Sequence, residues 1–350
     1  MAGTTPASPT WARENDAPGP GCARAGERPG RAAVSAGAAA APGGEAAGRA
    51  GGRERYLVIA NKTGQLGNRL TVYAHMIGAA RERGWTLLNP SFCEYAEHFL
   101  GTCGRLLTYG EAQLNPRAIP LIEREAAYRL NRVAYKCARV LQHLPRSAIG
   151  WARASNMPVY ELTALMDRAD ERGWRLLFTQ NYVFRQHRWC ARHAEYIRRV
   201  FTPLPVHQLS SRDALARARA GGAVVVGVHI RHGDYRQHLG GRFFFPFAAY
   251  AGLMRRMAAL LAPRAVSFLV CSNSPVTAAQ LPGLDVHPGP GHLVADLAAL
   301  SGCDWLLGPP SSFSAWAAFA GNRPLLVVED PAADFGLHDF TVSPSVDPRY

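Results

Sequence analysis

The chain has 350 residues, 48% of them hydrophobic, and a net charge of +13 at neutral pH. Such a length and apolar fraction suit a packed globular protein of one or two ordinary domains and exclude a fibrous or wholly disordered chain. No apolar run reaches the roughly 18 residues that a spanning helix needs, so no integral membrane span is expected.

Residues 1–53 differ from the rest. They are rich in Ala, Gly, Pro and Arg, hold a single aromatic, Trp11, and show neither helical nor strand periodicity. A segment that can bury so little cannot offset the cost of ordering itself, and a disordered leader is expected there. Its most apolar stretch, AAVSAGAAAAP, is broken by Ser and Pro and does not form a secretory h-region. The seven cysteines, Cys22, Cys93, Cys103, Cys137, Cys190, Cys271 and Cys303, are odd in number and contain no Cys-x-x-Cys pair. Reduced, mostly buried thiols in a cytoplasmic protein are the expectation.

The positive charge is concentrated. Residues 105–200 carry sixteen arginines and Lys136 against eight acids. Only two lysines occur in the chain, a skew toward Arg that a GC-rich genome produces by itself. No nucleic-acid module is legible, so a nucleic-acid partner is not expected.

From Tyr56 onward, short apolar runs alternate with helical patterns. YLVIA (56–60) reads as a strand, NKTGQLG as a turn, NRLTVYAHMIGAARERG as a helix ended by Gly84, and TLLN as a second strand, together a β-α-β unit. Residues 91–203 are less regular, with one helix expected over 121–144 and another over 188–201. The alternation then restarts: strand 223–230, helix 245–261, strand 265–272, helix 292–302, strand 304–308, helix 311–321, strand 324–329. Near-continuous apolar strands of this kind belong to parallel sheets covered on both faces. The expected class is α/β, with two Rossmann-like domains, 54–204 and 205–350, facing each other across a cleft.

In such sheets ligands bind beyond the carboxyl ends of the strands. Three loops of unusual composition fall there: Gly64-Gln65-Leu66-Gly67-Asn68-Arg69, His229 to Arg236, and Pro309-Pro310-Ser311-Ser312-Phe313-Ser314. Each alone has a plain reading: a tight turn at Gly64 and Gly67, a helix cap at Ser311 or Ser312, a core histidine at His229. Together they supply what a diphosphate requires. Glycines admit backbone N–H groups, a helix N-terminus adds donors and partial positive charge, and Arg231 adds a bidentate fork.

Several segments also resemble a known family. GVHIRHGDY is similar to the His-x-Arg-Arg-x-Asp signature of the GDP-fucose fucosyltransferases, especially the α-1,2 type, which are related to the α-1,6 and protein O-fucosyltransferases. GQLGNRLTVYA resembles their Gly-x-x-Gly-Asn-Gln motif, and ADLAALSGCDWLLGPPSSFSAWAAF their Asp-Leu-x-x-Leu-Ser and Ser-Ser-Phe-Ser segments. FTQNYVFRQHRWCARHAEYIRRVFTP is similar to the segment preceding their donor half, so the resemblance runs in order from residue 56 to about 330.

The resemblance implies a GT-B-like glycosyltransferase with its acceptor side in 54–204 and its GDP-sugar site in 205–350. It implies that His229 and Asp296 read the guanine base, that Arg231 grips the β-phosphate, and that Ser311, Ser312 and Phe313 lie against the diphosphate. Gly64, Gly67 and Asn68 would close over the donor. His232 and Arg69 stand where the family has a second arginine and a glutamine; Arg69 is expected to restore across the cleft the charge missing at His232. Asp296 has a second reading, as a polar residue on the outer face of its helix.

The implied reaction transfers fucose from GDP-fucose, with inversion, to a glycan that is galactose-terminated by family expectation. No Asp-x-Asp occurs in the sequence, so no metal or other cofactor is expected at the diphosphate, and Arg231 with helix-terminal donors takes the leaving-group role. Asp234 is either the general base or the orienting partner of Arg231. Trp85, Trp151, Trp174, Tyr182 and Trp189 are either sugar platforms or core. Two further readings compete: a transferase for another sugar nucleotide, and a non-catalytic GDP- or carbohydrate-binding relative.

Overall fold

A computed structural model describes residues 54–113, 117–154, 159–181 and 183–346. The expected leader, Cys22 and Tyr182 lie outside the described residues.

The first half begins with β1 (Tyr56–Ile59), α1 (Leu66–Arg83) and β2 (Thr86–Leu88). Gly84 stops α1 at φ 66°, a left-handed conformation that costs glycine nothing. After α2 (Leu121–Leu141) come β3 (Ile149–Arg153), the short β4 (Tyr160–Glu161), α3 (Leu162–Glu171), β5 (Leu176–Gln180) and β6 (Phe184–Arg185). The four longer strands form one parallel sheet in the order β2-β1-β5-β3. The helix expected over 188–201 is two, α4 (His187–Arg192) and α5 (Ala194–Val200), broken at His193. His193 leaves helical geometry with φ −103° and ψ 14°, and its Nε2 and Arg192 both engage the carboxylate of Glu82 on α1.

Pro205 opens α6 (Pro205–Ala218), which packs on the second half. That half runs β7 (Val224–Ile230), α7 (Phe247–Leu261), β8 (Val266–Ser272), β9 (Val286–Pro288), α8 (Leu293–Ser301), β10 (Trp305–Gly308), α9 (Ser312–Gly321) and β11 (Leu325–Val327). Its parallel sheet has the order β11-β10-β7-β8-β9, with every residue of β7 buried. The fold is therefore α/β with two parallel sheets, and the described residues belong to a single compact unit.

One core runs through both halves. It joins Leu70, Tyr73 and Ile77 of α1 to Phe201 and to Trp316 and Phe319 of α9. The chain end returns to the first half, where His75 of α1 donates from Nε2 to the Val346 carbonyl at 2.9 Å and accepts the Gln186 N–H at Nδ1. Of the expected aromatic platforms, Trp85 is core and Trp151 and Trp174 pack around the first sheet; the Trp189 ring lies under Arg83. All six described cysteines are free, and only Cys137 is exposed. No helix among the described residues is long and apolar enough to cross a membrane.

Helices α1 and α9 meet at their N-terminal turns. A β-carbon on Gly67 would lie 2.8 Å from the Phe313 amide nitrogen and 2.8 Å from the Ser312 carbonyl carbon, both main-chain atoms that cannot swing aside. Gly67→Ala should therefore lower stability by about 1–3 kcal/mol through forced separation of the helices. Gly252, inside α7, has open space where a β-carbon would go, and Gly252→Ala should raise stability by about 0.5–1 kcal/mol. Urea midpoints of the two variants moving in the same direction would contradict this packing.

Candidate active site

The second sheet has a point where successive connections leave in opposite directions, between β7 and β10. Crevices of this kind, outside the strand carboxyl ends, are where open α/β sheets bind ligands. The three loops singled out in the sequence leave β1, β7 and β10, and the structure brings them together.

Loop one turns at Gly64, whose φ of 64° would strain any other residue and whose β-carbon would strike the Asn68 side chain. The turn delivers Gln65 as the N-cap of α1 and lets Gly67 approach α9. Loop three ends at Ser311, the N-cap of α9, whose hydroxyl accepts the Phe313 N–H at 3.2 Å. The capping reading of Ser311 is thus what the structure shows, while Ser312 abuts Gly67. The first turn of α9 holds no acidic residue, so its partial positive charge is uncompensated there.

Loop two supplies the charge. Asp234 grips the edge of the Arg231 guanidinium, accepting from Nε at 3.1 Å and from Nη2 at 2.9 Å. Nη2 also donates to Gln65 Oε1 at 3.0 Å, which ties loop two to loop one. Nη1 has no protein acceptor among the described residues. The Tyr235 ring lies under the guanidinium at 5.1 Å, and its hydroxyl donates to the Pro310 carbonyl at 2.5 Å, tying loop two to loop three. The Arg231 side chain is 16% exposed and that of Asp234 51%, so the cation is fixed from beneath while its carboxylate partner faces solvent.

His229 ends β7 as a buried, bonded histidine. Its Nδ1 is hydrogen-bonded to Ser314 Oγ at 2.7 Å and its ring lies 5.0 Å from that of Phe313. Burial, reinforced by Arg231, pushes its pKa down to about 3, so the ring is neutral. Asp296 lies in the helix that follows β9, beside the end of β8: its carbonyl accepts from Cys271 Sγ at 3.8 Å, and Cys271 is the strand partner of His229. It is not on an outer face: burial pushes its carboxyl up to about 6, while the Gly291 N–H, donating at 2.8 Å, works in the opposite direction.

Two expected site residues point elsewhere. His232 is buried among Phe244, Phe247 and Tyr250, and its Nε2 donates to the Phe245 carbonyl at 2.7 Å. Its side chain belongs to the aromatic core beneath loop two. Arg69 does not reach across to replace its charge. It pairs with Glu94 at 2.6 Å, donates to the Gly64 and Ser91 carbonyls and lies over the Tyr95 ring. Lys62 in the same loop is held between Glu94 and Glu125, each at 2.6 Å. The cations of the first half at this point, Lys62 and Arg69, are already paired, whereas Arg231, held by Asp234 along one edge, keeps Nη1 without a protein acceptor among the described residues.

Gln65, Tyr235 and Ser314 are site residues that the sequence reading passed over. Gln65 and Tyr235 lie inside the quoted motifs, but nothing in their spacing tells that one reaches Arg231 and the other Pro310.

No known protein-family profile matches the chain, and no curated protein matches it. Among solved structures it is similar to fucosyltransferase NodZ from Bradyrhizobium, with 17% identity, a TM-score of 0.48, and 81% of this chain and 98% of that chain covered. It is also similar to an Arabidopsis thaliana FUT1 mutant in complex with GDP, with 13% identity, a TM-score of 0.47, and 80% and 72% covered. A third similar structure is POFUT1 in complex with GDP-fucose, with 11% identity, a TM-score of 0.46, and 79% and 96% covered. Likenesses this distant assign neither activity nor ligand to the chain.

Proposed function

We propose that the chain is an inverting glycosyltransferase that moves L-fucose from GDP-fucose to a hydroxyl of a glycan acceptor, galactose-terminated, with no metal at the diphosphate. The observation that carries this reading is Arg231. It is clamped by Asp234 and Gln65, is underlain by Tyr235, keeps Nη1 unengaged among the described residues, and stands where three loops and the head of α9 meet.

The chemistry follows from that placement. As the bond from the sugar anomeric carbon to the β-phosphate oxygen breaks, negative charge collects on the diphosphate and positive charge on the sugar ring. A guanidinium already fixed in place, with helix-terminal N–H groups beside it, stabilises the departing diphosphate without reorganising. The acceptor hydroxyl attacks the opposite face and loses its proton to solvent as the new C–O bond forms and the bond to the diphosphate breaks, which inverts the configuration. Asp234, with both oxygens on Arg231, suits the orienting role better than that of the base. Asp296, beside the end of β8 and next to the strand that carries His229, would accept the guanine N–H groups while the diphosphate sits at Arg231.

Arg231→Ala should lower kcat by on the order of a hundredfold or more, about 3 kcal/mol, with less effect on KM, and Arg231→Lys should recover little because a point charge lacks the fork. Asp234→Asn should weaken GDP binding and transfer together, as expected of a positioning residue. A variant that binds GDP normally yet transfers nothing would instead make Asp234 the base. Near wild-type turnover by a folded Arg231→Ala protein would end the proposal.

The raised pKa of Asp296 gives a second outcome. Its folded value, about 6, lies above the ordinary 3.8, so its contribution to stability is complete below the ordinary value and is lost as pH rises through about 6. Guanine recognition has the opposite sign, because the carboxylate is the acceptor. GDP affinity should rise with pH through about 6, and Asp296→Asn should remove that part of the slope, leaving only the titration of the phosphate itself. Identical pH profiles for the two proteins, measured by calorimetry, would remove Asp296 from the site.

A further inference from the structure

Three histidines far apart in sequence come together away from the diphosphate loops. His98 closes a single 3-10 turn after β2, His207 lies in the first turn of α6, and His292 is the N-cap of α8. His98 Nδ1 and His207 Nε2 are 3.1 Å apart, the His207 and His292 rings stack at 4.4 Å, and one ligand nitrogen from each ring lies within 4.8 Å of the other two.

We infer that His98, His207 and His292 form a binding site for a transition-metal dication of the zinc class, which fastens the loop after β2 and the heads of α6 and α8 to one another. A tetrahedral Zn2+ with Zn–N bonds of about 2.0–2.1 Å sets its ligand nitrogens about 3.4 Å apart. The His98–His207 pair is already near that spacing. His292 is exposed, so it can close the remaining distance, and it gives an ion a way in. In the metal-free ring Nδ1 accepts the Val294 N–H at 3.2 Å; ligation through Nε2 would move the ring proton to Nδ1 and give up that cap. Glu97 Oε1, 3.9 Å from His98 Nε2, stands where a carboxylate would orient a ligating imidazole. Three imidazoles leave the fourth position for water. Asp296 follows His292 by one helical turn, its N–H bonded to the His292 carbonyl at 2.7 Å, so the ion would steady the helix that carries Asp296.

The test uses the full chain, stripped with chelator and titrated with Zn2+ alone by calorimetry, with Co2+ in parallel for its ligand-field spectrum. The expected result is one equivalent bound, a higher melting temperature, and visible bands of tetrahedral intensity with Co2+. His292→Asn keeps a capping acceptor for Val294 but removes the imidazole. It should weaken binding at least tenfold while melting, metal-free, close to the metal-free parent. His143→Asn, at an exposed histidine outside the cluster, should bind as the parent does. No saturable binding by the parent, or undiminished binding by His292→Asn, would overturn the site.

Discussion

The N-terminal turns of α1 and α9 approach so closely at Gly67 that a single added carbon would strike the main chain of Ser312 and Phe313. Much else depends on that approach. It sets the strand-end loops of the two sheets against each other, and it lets the core of α1 run on into Trp316 and Phe319. It also brings Gln65, one residue before α1, within reach of Arg231, the residue after β7. Glycine at position 67 is thus a requirement of packing first, and the site is assembled on that packing.

Electrostatics then decides what such a junction can hold. In the first half, Lys62 and Arg69 are paired with Glu94 and Glu125. In the second half, the only carboxylate on Arg231 among the described residues is Asp234, which occupies one edge of the fork. The uncompensated charge therefore lies at Nη1 and at the head of α9, both on the second half. The proposed diphosphate matches that charge. The chain's overall excess of arginine does not make this argument: many of those residues lie on exposed surfaces such as that of α2, and their number says nothing about which one is aimed at a cleft.

The second sheet was largely legible in the sequence because β7, β8 and β10 are continuous apolar runs of buried strands, and the helices between them carry clear breaks. Half of the first sheet was not. β3 (IGWAR) and β5 (LLFTQ) are short and mixed, and they draw their identity from pairing with each other and with β1 rather than from composition. The convergence of three loops was readable from their residue types and their places after strands. The directions of individual side chains were not. His232 turns inward because Phe244, Phe245 and Phe247 form a pocket with a carbonyl to bond, and Arg69 turns aside because Glu94 waits beside it; neither partner is marked in the motif. The histidine cluster was invisible for the same reason, since its members lie on three segments that only the tertiary fold unites.

The central claim is that Arg231 holds the second phosphate of a guanosine diphosphate. Calorimetric affinities of the parent and Arg231→Ala proteins for GDP and for GMP, at one ionic strength, test it in a closed cycle. The account predicts that the parent prefers GDP strongly and that this preference collapses in the variant, while GMP binding changes little. A preference for GDP that survives the loss of Arg231 would show that the second phosphate is held elsewhere, and would contradict the account.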